Sequence, residues 1–381
     1  MMTKIRYPQL DGIRGLALWG IFIVNIVWFS IPPERFGELY GGGPYWYNDF
    51  INFLRVELFG GRTATVFAFL FGLGMSMQWN RWHSTSMLIK RNLVLAMFGV
   101  LHIVLLLGGD ILLDYAVFGL LGVALVRLPK KVLLAITIVI ALWPSLLMVL
   151  RHYEIMAPAG AGASLDYSLE DKIELFRNGS FVDQCMYRIK QYTVIWRNPW
   201  VLNFYFPPVL ACFVLGLLAA KTNFLSSFDQ TNKYARLLVA FVVLKAFLTF
   251  LNHSSMELMT SWKSLLVFQV IFQWDQYFTS FILVAVVLVS INSAIKMIWR
   301  PFEILGRMSL TTYILQSVLS SVLFYSFGFA QFDSLSPLQV QIFCLIFIVV
   351  ICGFNYFWLK KYRSGPLEHI WRKLSYPEKM N

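Results

Sequence analysis

Charged residues are scarce in this sequence. Only 14% of its 381 residues are Asp, Glu, Lys or Arg, and 58% are hydrophobic. Soluble domains average about 25% charged residues and about 45–50% apolar residues. A water-soluble protein of this length needs more charged residues on its surface than this sequence supplies. The composition therefore excludes a soluble globular fold.

Cysteine is also scarce, and the usual signatures of soluble enzymes are missing. The four cysteines form no CxxC pair and no Cys/His spacing of the kind that holds zinc. We therefore expect no metal site and no internal disulfide. A GxSxG elbow, an HExxH motif and a Walker loop are all absent, which argues against soluble-type serine hydrolases, zinc proteases and nucleotide hydrolases. We expect no permanently bound cofactor.

The sequence does contain ten apolar runs, each close to the ~20 residues that cross a bilayer. Backbone groups in lipid must be satisfied within their own segment, so such runs are helical. The runs lie at 13–32, 62–79, 92–109, 111–127, 132–150, 201–220, 237–252, 266–290, 305–327 and 338–359. The sequence thus predicts an all-α, polytopic transmembrane helix bundle of about ten spans, with the lipid bilayer as its surroundings.

The positive charges favour one side of this bundle. A formal net charge of +12 could indicate a nucleic-acid partner, but Lys and Arg occur in short clusters between the apolar runs. Lys4 and Arg6 precede the first run, and Lys360 and Lys361 follow the last. The clusters alternate with connections that carry few positive charges, which is the positive-inside pattern. We therefore predict cytoplasmic N- and C-termini and no nucleic-acid binding.

Three parts of the chain follow from this topology. Residues 1–151 hold the first five spans. Residues 152–200 form an extracytoplasmic loop, in which Ser168-Leu-Glu-Asp171 predicts a capped amphipathic helix. Residues 201–381 hold the last five spans and a cytoplasmic interfacial tail.

Polar residues at regular spacing within the apolar runs suggest a site, because a charge at the bilayer centre costs roughly 2.5–3.5 kcal/mol on insertion scales. Asp11 and Arg14 begin the first span, and Asn25 follows Arg14 by three helical turns, or about 16 Å on the same face. Arg91 and His102 repeat this spacing in the third span. We interpret the pattern as a polar track that enters the bundle from the cytoplasm.

Two acidic residues extend the track at the outer end of the third span. Asp110 and Asp114 are four residues apart, the spacing that places side chains on one helix face. A buried histidine such as His102 is a candidate proton acceptor. The alternatives are structural: the arginines anchor the helices, His102 and Asn25 bond between helices, and Asp110 caps the following helix.

Several motifs together resemble the YeiB-like family of bacterial inner-membrane proteins. They are Leu10-Asp-Gly-Ile-Arg-Gly-Leu-Ala17, Leu70-Phe-Gly-Leu-Gly74, Gly109-Asp-Ile-Leu112, Gly306-Arg-Met-Ser-Leu-Thr-Thr-Tyr313 and Gly365-Pro-Leu-Glu-His-Ile-Trp-Arg372. The resemblance implies a multi-pass protein of the bacterial cytoplasmic membrane. The last two motifs look like that family's C-terminal domain of unknown function, and transport has been suggested for the family.

The opening motif is also distantly similar to membrane acyltransferases that modify polysaccharides and to the heparan glucosaminide acetyltransferase type. The latter has Asn at the position of Asn25 and a catalytic His in the next outer loop, but here no His precedes His83. The resemblance implies transfer of an acyl group from a cytoplasmic acyl-CoA to a small-molecule or glycan acceptor at the outer face. The alternative is a small-solute or proton-coupled transporter.

In the acyltransferase interpretation the candidate residues take separate roles. The predicted catalytic residues are His102 as the general base, Asn25 as a donor to the oxyanion and Asp110 as the group that orients His102 or the acceptor. The predicted substrate-binding residues are Arg14 and Arg91, which would hold the donor phosphates, together with Asp11 and Asp114.

Overall fold

The computed structural model describes residues 7–40, 45–150, 167–198, 201–222, 224–228, 230–257 and 262–376, and within these ranges every regular element is helical. The all-α prediction is therefore confirmed. In chain order the α-helices are α1 (Pro8–Ser30), α2 (Phe36–Tyr40), α3 (Trp46–Asn52), α4 (Arg62–Trp82), α5 (Thr85–Leu105), α6 (Leu112–Leu125), α7 (Lys130–Leu150), α8 (Leu169–Arg177), α9 (Phe181–Arg197), α10 (Phe206–Ala219), α11 (Thr231–Glu257), α12 (Trp262–Ser290), α13 (Arg300–Arg307), α14 (Ser309–Phe324), α15 (Pro337–Lys361) and α16 (Pro366–Ser375).

Several helices have the length and composition of membrane spans. Among the described residues, six segments are long and apolar enough to cross a bilayer: Pro8–Ser30, Trp46–Trp82, Thr85–Leu105, Lys130–Leu147, Val201–Ala219 and Pro337–Lys361. Three shorter apolar helices are Leu112–Leu125, Trp274–Ser290 and Ser309–Phe324. Each predicted run overlaps one of the helices of the fold. The count of ten spans and the side on which the termini lie remain predictions.

Helix α1 lies inside the bundle, where α4, α12, α13, α14 and α15 pack around it. Its approach to α13 is possible because two glycines meet at the crossing. A Cβ at Gly15 would lie 1.9 Å from the carbonyl oxygen of Phe302, and a Cβ at Gly306 would lie 1.9 Å from that of Asp11. Small residues at such crossings let two helix backbones touch.

Helices α4 and α10 cross in the same way and join the N-terminal spans to the C-terminal ones. A Cβ at Gly72 would lie 2.0 Å from the carbonyl oxygen of Phe213, and a Cβ at Gly216 would lie 2.0 Å from that of Phe69. Because both sides of the crossing lack side chains, α4 and α10 pack backbone against backbone over much of their length.

The predicted run 305–327 is divided into two helices, α13 and α14, which meet at Met308. The carboxylate of Glu368, from α16, holds the start of α14. Its Oε1 accepts the backbone N–H groups of Leu310 (2.7 Å) and Thr311 (3.1 Å), and its Oε2 accepts the Thr311 hydroxyl (2.6 Å). The first N–H groups of a helix have no partner within it. A side chain of the C-terminal tail therefore caps α14 and docks α16 on the bundle.

The predicted amphipathic helix of the long loop is α8. The Ser168 hydroxyl accepts the backbone N–H of Asp171, and the Asp171 carboxylate accepts the backbone N–H of Ser168, each over 3.0 Å. These bonds from the Ser168 backbone and hydroxyl lower the pKa of Asp171. The two reciprocal bonds form a capping box, as the sequence motif predicts.

Candidate functional site

His102 lies in the last turn of α5, because the helix ends at Leu105 and not at residue 109 as predicted. The backbone N–H groups of Leu106 and Leu107 both donate to the His102 carbonyl, and the chain then turns through Gly108 into α6. His102 is thus near the end of α5 that the charge pattern predicts to be outside, and not midway across the bundle.

The His102 imidazole lies between an acid and an alcohol. Its Nδ1 is 2.9 Å from Asp110 Oδ1, and its Nε2 is 2.8 Å from Ser317 Oγ. The side chains of His102 and Asp110 are both completely buried. The Nδ1 contact is at ion-pair distance, but the ring N–H is not well directed at the carboxylate oxygen. The order acid–imidazole–hydroxyl is the arrangement by which a histidine is oriented and a hydroxyl is activated.

Asp110 is held by three further donors. Its Oδ1 accepts the Tyr313 hydroxyl over 3.0 Å, and its Oδ2 accepts the backbone N–H groups of Leu112 (3.0 Å) and Leu113 (3.2 Å). An ionised carboxylate only accepts hydrogen bonds, so this set of donors suits it. Asp110 thus caps α6, which was the structural alternative for this residue, and it also contacts His102, which it was expected to orient in the acyltransferase interpretation.

Helix α14 supplies the two residues of the site that sequence reasoning missed, Tyr313 and Ser317. They are four residues apart and share one face of the helix, and Ser321 continues this face. The hydroxyls of Ser320 and Ser321 are buried and have no hydrogen-bond partner among the described residues. The repeat of hydroxyl-bearing residues at a spacing of four, within an apolar run, was the signal available in the sequence.

Asp114 lies close to this site but has a different partner. The hydroxyl of Tyr192, from α9, donates to Asp114 Oδ1 over 3.3 Å. Burial and the nearby charge of Asp114 raise the pKa of Tyr192, so its hydroxyl serves as a donor. Asp110 precedes the first residue of α6, so the predicted shared helix face of Asp110 and Asp114 is wrong. The capping turn brings the two carboxylates near each other instead.

The predicted cationic residues form a second group at the other end of α5. Arg14 pairs with Asp11 over 3.3 Å. The Arg91 guanidinium lies over the ring of Trp371, 3.7 Å from its centroid, and the Trp371 indole N–H donates to the Arg91 carbonyl over 2.9 Å. Arg14 and Arg372 are close enough for their charges to act on Arg91. We call Arg14, Arg91 and Arg372 the cationic cluster.

Asn25 contacts neither group. It is half-buried, and no hydrogen bond joins it to His102 or Asp110 in the part of the chain that the structure describes. The Gln316 amide donates to the Leu18 carbonyl over 3.3 Å, which sets Leu18 level with the Ser317 turn. Asn25 is seven residues further along α1, so it lies about 10 Å beyond that level.

A cleft opens beside the turn that carries Asp110, and we call it the outer cleft. Its volume of about 20 Å³ holds roughly one water molecule. It is lined by Trp28, Ile31, Pro32, Pro33, Leu107, Gly108, Lys172, Phe176, Tyr187, Arg188, Gln191, Tyr325 and Phe332. Asn25 is one turn from Trp28, and Leu107 donates to the His102 carbonyl. The outer cleft therefore adjoins the turn between α5 and α6, and the side chains of His102, Asp110 and Ser317 are not part of its lining.

A buried ion cluster that sequence reasoning missed joins α4, α11 and α12. Asp275 Oδ2 accepts from Arg62 Nη2 over 2.7 Å, and Asp275 Oδ1 accepts from Lys245 Nζ over 2.5 Å. Arg62 is 2% exposed and Asp275 9%. Lys245 also donates to the Thr279 hydroxyl over 2.8 Å. Such charges inside a membrane bundle are expensive unless they pair.

Known proteins are similar to this chain in both its N-terminal and its C-terminal parts. The family described as a protein of unknown function (DUF418) matches residues 219–378. The uncharacterised protein YxaH of Bacillus subtilis is 25% identical, over 98% of this chain and 95% of its own length. The uncharacterised protein YeiB of Escherichia coli is also 25% identical, over 97% of this chain and 96% of its own length. Together these matches support a YeiB-like family for this chain.

The region that matches the DUF418 family contains only part of the His102 site. Ser317, Tyr313 and α16 fall inside the DUF418 region, whereas His102 and Asp110 precede it. An uncharacterised 39.9 kDa protein of Bacillus acidopullulyticus is 27% identical over 98% of this chain and 95% of its own length. These similarities extend over the whole chain, so they include both regions. The names of the relatives give no activity.

Proposed function

We propose that this YeiB-like protein is a membrane acyltransferase, which moves an acyl group from a cytoplasmic CoA-type donor to an acceptor at the outer face. The single observation that carries the proposal is the placement of His102 between Asp110 and the Ser317 hydroxyl, at 2.9 Å and 2.8 Å. Acyl transfer requires a base that removes a proton from a hydroxyl as the hydroxyl attacks a carbonyl carbon.

His102 is the base in this proposal. Asp110 favours the tautomer with the proton on Nδ1, which leaves the Nε2 lone pair to accept a proton. The bonds from Tyr313, Leu112 and Leu113 fix the carboxylate, which lies 2.9 Å from Nδ1 of the imidazole. When Nε2 takes the proton, the negative charge of Asp110 stabilises the imidazolium.

The cationic cluster is the proposed phosphate site for the donor. Arg91 and His102 are eleven residues apart on α5, which separates them by about 16 Å along the helix. A donor bound here needs a long arm between its phosphates and its acyl group, as CoA has. Arginine suits the phosphates because its planar fork donates two parallel hydrogen bonds. Asp11 holds Arg14 in place through their ion pair.

The acceptor would enter through the outer cleft. Asn25 is one turn from Trp28 of the cleft, so we assign it to binding the acceptor or the developing oxyanion. The Tyr192–Asp114 pair is a further candidate to hold an acceptor hydroxyl. This route requires the proposed topology of about ten spans in the bacterial inner membrane with both termini in the cytoplasm, so that Arg91 faces the cytoplasm.

Donor binding tests the proposal. For the purified full chain in detergent we expect CoA binding by calorimetry, and Arg14→Ala with Arg91→Ala should raise the Kd by about 100-fold or more, since a hydrogen bond to a charged group contributes about 1.5–3 kcal/mol. Arg81→Ala is the matched control, because Arg81 is an exposed arginine stacked on Trp82 at the end of α4. Absence of CoA binding to the unmodified protein, or an unchanged Kd in the double variant, contradicts the proposed donor.

The second candidate function is transport of a small solute or of protons. The cluster of Arg62, Asp275 and Lys245 supports it, because ionisable residues within spanning helices mark many ion and substrate pathways. The CoA-binding experiment distinguishes the two candidate functions. A transporter of a small solute needs no CoA site, and its Kd for CoA would not depend on Arg14 or Arg91.

A further inference from the structure

We infer that Ser317 carries the acyl group as a covalent ester between donor and acceptor, an inference that rests on the proposed acyltransferase function. Ser317 Oγ is 2.8 Å from His102 Nε2, and its other contact is to the backbone carbonyl of Tyr313 at 3.3 Å. A serine hydroxyl bonded to an acid-oriented histidine is the arrangement that activates serine as a nucleophile.

The two steps balance at named atoms. In the first, Ser317 Oγ attacks the thioester carbonyl, the new C–O bond replaces the C–S bond, and the Ser317 proton passes through His102 Nε2 to the leaving thiolate. In the second, an acceptor hydroxyl attacks the seryl ester, and its proton passes through His102 Nε2 to Ser317 Oγ as the seryl C–O bond breaks. His102 is a base and then an acid in each step, and no other reactant is needed.

Two features of the fold favour this stepwise route. The side chains of His102 and Asp110 are completely buried and Ser317 is 3% exposed, so donor and acceptor do not fit beside the nucleophile at the same time. The donor would also arrive from the Arg91 end of α5, whereas the acceptor would arrive from the opposite end. A covalent intermediate allows the donor to leave before the acceptor binds.

The tetrahedral intermediate needs hydrogen-bond donors for its oxyanion. Ser320 and Ser321 lie on the turn of α14 that follows Ser317, and both are completely buried with no partner among the described residues. An unbonded buried hydroxyl is expensive to keep. Ser321 shares the face of Ser317, about 5–6 Å away between Cβ atoms. These hydroxyls are therefore available to bond the oxyanion.

The test uses a fluorophosphonate probe, which reports an activated serine without knowledge of the substrates: Ser Oγ bonds to phosphorus as fluoride leaves. In the purified full chain we expect the probe on the peptide that contains Ser317, identified by mass spectrometry. Labelling should disappear in Ser317→Ala and fall at least about 100-fold in His102→Gln. Ser76→Ala should label like the unmodified protein, because Ser76 is an equally buried serine on α4 without a hydrogen-bond partner among the described residues.

The same variants separate this inference from the proposed function. We expect Ser317→Ala to lower acyl labelling of the cell envelope at least about 1,000-fold, as loss of a nucleophile does. No probe on Ser317 in the unmodified protein, or an unchanged probe signal in Ser317→Ala, overturns the inference. If Ser317→Ala still acylates the envelope while His102→Gln does not, transfer is direct and only the covalent step is wrong. If the unmodified protein acylates the envelope no more than a strain without the protein, the proposed function is wrong as well.

Discussion

Substitution of His102 with glutamine is expected to lower acyl transfer by about 100- to 10,000-fold, the usual contribution of a general base. Glutamine keeps a polar side chain of similar length that can bond Ser317 or Asp110, but its amide accepts no proton at physiological pH. The amount of folded protein should stay near that of the unmodified chain. The measurement is incorporation of a labelled acyl group into the cell envelope of a strain in which each variant replaces the native protein.

Two further variants distinguish catalysis from packing at this position. His83→Gln is the matched control, because His83 is an exposed histidine outside the site, and its envelope labelling should not change. His102→Leu removes the partner of Asp110 and Ser317 within the bundle and should reduce stability by about 1–3 kcal/mol. If His102→Gln retains full labelling, His102 is a structural residue and acid–base catalysis at this site is ruled out.

Substitution of Asp275 with asparagine should lower the free energy of unfolding by about 3–5 kcal/mol, because removal of one partner leaves buried charge uncompensated. Arg62 and Lys245 both donate to this carboxylate, over 2.7 Å and 2.5 Å. The asparagine side chain keeps the volume but not the negative charge. We expect the temperature at which half of the detergent-solubilised protein leaves the monodisperse state to fall on the order of 10 °C.

Glu57→Gln provides the control for this cluster. Glu57 is 3.7 Å from Arg62, but its side chain is 52% exposed, and an exposed pair contributes about 0–1 kcal/mol. Its substitution should leave the transition temperature nearly unchanged. An equally small change for Asp275→Asn would mean that water or a counter-ion compensates Arg62 and Lys245, and that the three residues are not a closed structural cluster.

The local parts of the site were predictable from the sequence. The eleven-residue spacing of Arg91 and His102 places them on one face of α5, and Asp110 follows at the turn where it caps α6. Helical geometry fixes both facts within one short segment. The placement of Arg14 and Arg91 at the starts of two predicted spans also follows from the sequence alone, whereas their role in holding donor phosphates stays a prediction.

The contacts between distant segments were not predictable from one sequence. Ser317 meets His102 across 215 positions, and Arg62 meets Asp275 across 213. Each of these residues looks like an isolated polar group in an apolar run, and only the packing of α4, α5, α12 and α14 pairs them. Hydropathy also predicts one run where the structure has two helices, α13 and α14. The cap that begins α14 comes from Glu368, 58 positions away, and hydropathy does not detect it.

The boundaries of the spans shifted for a local reason. Apolar residues continue through Leu107, so hydropathy extends the third span to residue 109, but the chain leaves the helix after Leu105 to make the turn through Gly108 and Gly109. This shift moves His102 into the last turn of α5 and next to the outer cleft. His102 therefore lies closer to this end of α5 than a histidine midway across the bundle would.

Thioester consumption by the purified protein is the most direct test of acyl transfer. The unmodified full chain, reconstituted in lipid vesicles, would be given acetyl-CoA and an extract of cell-envelope glycans and lipids, and the free thiol of CoA would be followed over time. We expect continuous thiol release that requires both the protein and the extract, with no more than one thiol per protein molecule released when the extract is left out, and one labelled acetyl group appearing in the extract for each thiol released in turnover. A rate of thiol release no greater than that of empty vesicles, whatever the extract, would contradict an acyltransferase.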